Sequence, residues 1–100
     1  MGALYTTEIH TEDFEIRIAE KAKCKGVLAI EIYVPDTSVP LLIKDGSQQK
    51  ITAKTPFRLH SFTHPITNGF IPFEFLEYEG LQTPDNPRIK KAIVRYLYCE

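Results

Sequence analysis

The sequence contains no apolar run of the roughly 18 residues that a membrane-spanning helix needs, so no membrane span is predicted. Its first residues, MGALYTTEIHTED, have neither a basic start nor a long apolar core, so no secretion signal is expected. The resulting expectation for localisation is cytoplasmic or virion. The net charge of −1 gives no overall attraction to polyanions, and binding of nucleic acid is not expected.

The residues and spacings typical of catalysis are also scarce. The two cysteines, Cys24 and Cys99, lie far apart and form no CxxC pair, which excludes a disulfide framework. The five glycines form neither GxGxxG nor GxxxxGKS, the loops that hold phosphate groups. No serine lies in a GxSxG turn. The sequence therefore predicts no catalytic residue and no cofactor, and the protein is not expected to be an enzyme.

Two pairs of residues have spacings that a metal or catalytic site could use. His60 and His64 have the HxxxH spacing of a helical zinc site, but they lie in a segment predicted to be extended. At about 3.3 Å per residue they would stand roughly 13 Å apart, too far for ligands that bond one ion at about 2 Å. Glu77 and Glu79 share a strand face, which an acidic strand rim explains more simply than a glycosidase pair. No metal site is predicted.

What is present is typical of one small globular domain, residues 1–100. Hydrophobic residues make up 43% of the chain and charged residues 25%, which is ordinary for a folded protein. Turn residues recur at the short intervals that are typical of β-rich domains. About six to eight short strands are expected, forming a mainly β fold, a small antiparallel β-sandwich or barrel.

Two segments leave the fold class open. The alternation of Phe14, Ile16 and Ile18 predicts a strand at about 13–20, followed by a connection through 21–26 and a strand at 27–34. The acidic start and basic end of 12–25 also suit a helix, with Thr11 as its cap.

The segment 87–98 has the same ambiguity. Ile89, Ala92 and Ile93 begin a helical spacing, whereas the β-branched and aromatic run 93–98 favours a final strand. We favour strands, with an α+β fold that has helices near 12–25 and/or 87–98 as the alternative.

Two turns have specific sequence signals. In LLIKDGSQQKITA, a five-residue DGSQQ loop would place Ile43 opposite Ile51 and match the apolar faces. Asn68-Gly69 lies between two β-rich runs and predicts a hairpin over 65–72. Pro65 would then oppose Pro72, and because neither has an N–H to donate, the tip should project beyond the sheet. A projecting apolar tip is a candidate partner-binding site, and its residues are Ile66, Asn68, Gly69, Phe70, Ile71 and Phe73.

The functional expectation is a non-enzymatic structural or protein-interaction module. By analogy of type, it would be a subunit of a larger assembly, such as a phage virion decoration, head-fibre or tail component. It would bind a protein partner, or self-associate, through the 65–72 tip. The alternative is a small ligand- or nucleic-acid-binding β-barrel. Its groove would be lined either by the aromatic residues Phe70, Phe73, Phe75 and Tyr78, or by two basic patches that meet near Tyr96 and Tyr98 and consist of Lys21, Lys23, Lys25, Arg88, Lys90, Lys91 and Arg95.

Overall fold

The structure, a computed structural model, describes residues 3–22, 26–76 and 88–99. These ranges contain eight strands and one helical turn. In chain order they are β1 (Ala3–His10), β2 (Phe14–Arg17), α1 (Ile18–Ala22), β3 (Val27–Tyr33), β4 (Leu41–Ile43), β5 (Lys50–Ile51), β6 (Phe57–His60), β7 (Phe70–Phe75) and β8 (Ala92–Cys99). They form two four-stranded sheets, sheet A with the order β1-β8-β3-β6 and sheet B with the order β2-β7-β4-β5.

The two antiparallel sheets pack face to face as a β-sandwich, and neither closes into a barrel. In sheet A, Ile30 lies opposite Tyr96 and Ile32 lies opposite Val94, and all four side chains are fully buried. Sheet B contributes the alternate residues of its own strands to the same core: Ile16, Leu41, Ile43, Ile51, Phe73 and Phe75. The predicted mainly β sandwich is therefore confirmed, and the barrel and α+β alternatives are not.

Aromatic rings join the two sheets at one end of the core. Phe14 of β2 stacks on Phe73 of β7 with ring centroids 4.9 Å apart, and His10 stacks on the other side of Phe14 at 4.0 Å. Phe57 of sheet A meets Phe73 edge-on at 6.4 Å. Such pairs contribute roughly 0.5–1.5 kcal/mol beyond their buried area. They fix how β6 lies over β7.

The strand predicted at 13–20 is shorter than expected. It ends at Arg17, and residues Ile18–Ala22 form a single helical turn, so the alternative of a helix near 12–25 is also wrong. Ile18 stays buried, and its backbone N–H donates to the carbonyl of Gly69 at 2.9 Å in register with the pairing of β2 and β7. The turn carries the chain away from sheet B toward β3 of sheet A, and part of the predicted 21–26 connection lies outside the described residues.

The C-terminal segment is a strand, as favoured. β8 lies between β1 and β3, and both neighbours pair with it along most of its length. Its backbone groups therefore bond across the sheet rather than within a helix, which decides against a helix at 87–98. The side chains of Ala92, Val94 and Tyr96 are all buried in the core. A spacing of two residues between buried side chains is that of a strand and not that of a helix.

The β4–β5 hairpin has a different register from the predicted one. Leu41 lies opposite Ile51, and the N–H of Ile43 donates to the carbonyl of Gln49 at 2.9 Å. The five-residue loop that would place Ile43 opposite Ile51 is therefore wrong. Within the turn, the Asp45 carboxylate accepts hydrogen bonds from the N–H and the hydroxyl of Ser47. Ile43 and Ile51 still face the same core because they lie on the same side of the sheet.

Within the described ranges, no helix has the length and apolar character that a membrane crossing requires.

Candidate interaction surface

The hairpin predicted over 65–72 does not form. Ile66 pairs with Val27 of sheet A through two backbone hydrogen bonds of 2.8 and 2.9 Å. Phe70, four residues later, opens β7 and pairs with Arg17 of sheet B. The Asn68-Gly69 segment therefore crosses from one sheet to the other instead of turning back. The prediction was wrong because a turn signal identifies a change of direction but not the strands that it joins.

The six residues of the predicted partner site are consequently dispersed. Phe73 is 2% exposed and belongs to the core, so it offers no surface to a partner. Ile66 and Ile71 are half-buried and pack against that core. Asn68 and Gly69 are exposed, as is Phe70, whose ring lies 5.0 Å from the Arg17 guanidinium. A partner-binding role for this shorter exposed segment stays a prediction.

A more extensive surface lies on the opposite side of the molecule. The outer face of sheet A is the face that points away from sheet B, and the strand registers place three rows of side chains across it. Its residues are Tyr5, Thr7 and Ile9 of β1, Ile93, Arg95 and Leu97 of β8, Ala29, Glu31 and Tyr33 of β3, and Arg58 and His60 of β6.

Glu31 is at the centre of this face. One oxygen of its carboxylate lies 2.9 Å from His60 Nε2, and the other accepts a hydrogen bond from the Tyr33 hydroxyl at 3.2 Å. The Arg95 guanidinium lies 3.8 Å away. The bond with His60 is the main cause that lowers the pKa of Glu31, and the Tyr33 bond and the charge of Arg95 act in the same direction against partial burial. Glu31 is therefore held ionised, the opposite of a general acid.

Two arginines cover the tyrosine rings of the same face. The Arg95 guanidinium lies 4.7 Å from the centre of the Tyr5 ring, and the Arg58 guanidinium lies 5.7 Å from that of Tyr33. Both distances are within the range of a cation–π contact. One face of each of these two rings is therefore already covered by a cation.

Exposed apolar side chains are concentrated on the β1 side of this face. Tyr5 is 59% exposed and Ile9 is 61% exposed, although both lie on a regular strand. At the other end of the face Phe62, also 59% exposed, lies 5.3 Å from the His60 ring. Large apolar side chains grouped on one face, with a polar surround, are typical of an interaction site.

The outer face of sheet B is different in character. It carries two exposed ion pairs, Arg17 with Glu15 at 2.9 Å and Lys44 with Glu74 at 2.8 Å. Phe70 is the one large apolar side chain with high exposure among the described residues of this face. Exposed ion pairs of this kind contribute only about 0–1 kcal/mol each, and they are typical of a solvated surface.

The edge of sheet A is a second feature of the same region. Among the described residues, β1 pairs with β8 alone, so one side of its eight-residue backbone has no strand partner. Proteins often protect such an edge with lysine, proline or a bulge. The sequence ALYTTEIH has no proline and no basic lysine or arginine, and its register with β8 is continuous.

The structure does not assemble the groove required by the alternative, a ligand-binding barrel. Phe73 and Phe75 are core residues, and Tyr96 is fully buried, which raises the pKa of its hydroxyl and prevents it from stacking on a ligand. The predictions for Cys24, Tyr78, Lys23, Lys25 and the Glu77/Glu79 pair lie outside the described residues.

A cleft lies between the β3–β4 connection and residues 52–54. It has a volume of about 230 Å³, and Asp36, Lys54 and Arg88 are its charged lining residues. Drug-sized ligands occupy pockets of roughly 300–1,000 Å³, so this cleft is small for such a ligand. The Arg88 guanidinium is also engaged by the carbonyl of Asp36.

Sequence reasoning missed the outer face of sheet A. A signal was present, because Tyr5, Thr7 and Ile9 alternate with Thr6 and Glu8 as the residues of a strand do. Which of the two alternating sets faces water depends on the register with β8, which local sequence does not contain. Comparison of the chain with known protein families, with curated proteins and with solved structures finds no match.

Proposed function

We propose that this protein is a non-enzymatic interaction module, a subunit of a larger assembly that contacts a protein partner through the outer face of sheet A. The observation that carries the proposal is the high exposure of Tyr5 and Ile9 on a regular strand, beside the Arg95 guanidinium. Full burial of an isoleucine-sized side chain is worth about 1.5–3 kcal/mol. The two exposed side chains therefore retain a substantial part of that free energy for a partner.

The chemistry of this face supports a protein partner. Tyrosine and arginine are enriched in protein interfaces, since each combines apolar area with hydrogen-bonding groups. Arg58 and Arg95 are already partly covered, because each lies over a tyrosine ring, and Arg95 also lies 3.8 Å from the Glu31 carboxylate. A partner that covers the face would meet two guanidinium groups and one carboxylate, so an acidic group on the partner would complete the charge pairing.

The same contacts disfavour nucleic acid. Binding of single strands uses open aromatic faces on which bases stack. In this protein the rings of Tyr5 and Tyr33 each have a guanidinium over them. The sheet surface is also not a concave pocket of the kind that encloses a small molecule. A protein surface is the partner that matches these features best.

Site-specific photo-crosslinking tests this proposal. Benzoylphenylalanine replaces Tyr5 in one variant and Phe70 in a matched control, since both are exposed aromatic residues but lie on opposite sheets. Each variant is irradiated in an extract of its source cells and, separately, as purified protein. We expect protein adducts from position 5 and several-fold fewer from position 70. Equal adduct yields at the two positions, or none at position 5, would contradict the proposal.

A further inference from the structure

We propose that the partner is a second copy of this chain, joined through the β1 edge that has no strand partner among the described residues, so that two antiparallel β1 strands give one continuous eight-stranded sheet. This inference rests on the proposed function, since it names a partner for the β1 side of the same surface. It starts from the edge itself: β1 is the longest edge strand described, and its outer side chains are uncharged. A long edge that lacks lysine, proline and a bulge is a template for another strand.

Symmetry restricts the possible registers. Two copies of one strand pair antiparallel around a two-fold axis perpendicular to the sheet. This operation keeps outer side chains on the outer face, and residues directly opposite each other must share a face. The two-fold axis must therefore lie midway between the two copies of one residue, so that this residue is directly opposite itself. Near the middle of β1 the candidates are Thr6, Thr7 and Glu8.

The register centred on Thr7 has the best side-chain complementarity. It places Tyr5 opposite Ile9 of the second copy, and Ile9 opposite Tyr5 of the second copy. Aromatic and β-branched residues are favourable cross-strand partners. Two exposed large apolar side chains, Tyr5 and Ile9, would thus cover each other twice in one dimer.

The neighbouring registers are poorer. An axis through Glu8 sets two carboxylates directly opposite each other, which is destabilising. An axis through Thr6 places Ile9 opposite Ala3 and Tyr5 opposite Thr7, so the two large apolar side chains do not meet. With Thr7 on the axis, Glu8 lies opposite Thr6, a hydroxyl side chain that can donate to the carboxylate. Charge and apolar pairing therefore select the same register.

Disulfide formation between introduced cysteines tests the register directly. Thr7→Cys and Thr6→Cys are made separately in a chain with Cys24→Ser and Cys99→Ser, each checked for the wild-type circular dichroism spectrum. Directly opposite Cβ atoms stand about 4.5–5.5 Å apart, so Thr7→Cys should form an intermolecular disulfide on mild oxidation. Thr6→Cys should form severalfold less. Crosslinking that is equal at both positions, stronger at position 6, or absent at both overturns the register.

A charge exchange tests the Tyr5–Ile9 contact. Tyr5→Glu with Ile9→Glu places glutamates opposite each other twice and should raise the dimer dissociation constant at least about tenfold. Tyr5→Glu with Ile9→Lys keeps the same loss of apolar area but makes the two contacts opposite in charge. We expect this second variant to dimerise more strongly than the first. Equal dissociation constants would overturn the inference.

The outcomes also separate this inference from the proposed function. A chain that stays monomeric at all concentrations, yet gives crosslinks to other proteins from position 5, overturns self-pairing and leaves the interaction face in place. A chain that gives neither self-association nor adducts at position 5 overturns both.

Discussion

The crossing of the chain between the sheets predicts an unequal cost for two similar glycine substitutions. Gly26 and Gly46 have nearly the same positive φ, 104° and 101°, a region that side chains with a Cβ rarely adopt. They differ in surroundings. A Cβ on Gly26 would lie 2.5 Å from the Cβ of Pro65, whereas a Cβ on Gly46 would have no atom within 4 Å.

Two effects, the left-handed backbone and the steric overlap, set the expected loss of stability in each variant. The left-handed backbone costs about 1–2 kcal/mol for alanine relative to glycine, and Gly46→Ala should lose roughly that amount. Gly26→Ala should lose about 1–3 kcal/mol more, because the overlap with Pro65 forces the crossing segment away from β3. Two backbone hydrogen bonds between Val27 and Ile66 join that segment to sheet A. These residues follow Gly26 and Pro65 directly in sequence.

Urea unfolding of the two variants and the wild type, followed by far-UV circular dichroism, measures both costs. The expected result is a free energy of unfolding for Gly26→Ala at least about 1 kcal/mol below that of Gly46→Ala. If the two variants agree within about 0.5 kcal/mol, Pro65 does not lie against Gly26, and the crossing described between Ile66 and Phe70 is refuted.

Further predictions concern pH and single side chains. Because its folded pKa is lowered, Glu31 stabilises the protein above its ordinary value of 4.5, and that contribution is lost as pH falls through the lower folded pKa. Glu31→Gln should therefore lose less stability than wild type between about pH 7 and pH 3 in urea unfolding, and an identical loss would contradict the His60 contact. Burial raises the pKa of Tyr96, so its contribution is complete below its ordinary value of 10.0 and is lost as pH rises above it. Tyr96→Phe should shift alkaline unfolding, followed by circular dichroism, to higher pH, whereas an unchanged midpoint would show that Tyr96 is not buried.

The fold class was predictable from sequence because it depends on local alternation. In β8, Ala92, Val94 and Tyr96 recur with a period of two, and β-branched and aromatic residues dominate the strand. The same segment also fits a helical spacing, and only pairing with both β1 and β3 resolves the choice. Local pattern thus identified the element types, while tertiary pairing decided the ambiguous one.

The candidate site was not predictable to the same degree. Asn68-Gly69 has the residues of a tight hairpin turn, but Ile66 pairs with Val27, 39 positions away in sequence. The alternation of Tyr5 with Thr6 in β1 likewise indicates a strand without indicating which side faces water. Both questions depend on contacts between residues that are distant in the chain, and those contacts appear only in the folded structure.

The most direct test of the central claim is the association state of labelled chain at low concentration, measured by sedimentation velocity. The wild type, Tyr5→Glu with Ile9→Glu, and the control Phe70→Glu are each measured with excess unlabelled chain of the same variant and in an extract of the source cells. We predict that the wild type and Phe70→Glu sediment faster than the 11.5 kDa monomer in at least one of these conditions, and that the Tyr5/Ile9 variant remains monomeric in both. Association of the Tyr5/Ile9 variant equal to that of the wild type, or a monomeric wild type in both conditions, would contradict the assignment of the outer face of sheet A as the interaction surface.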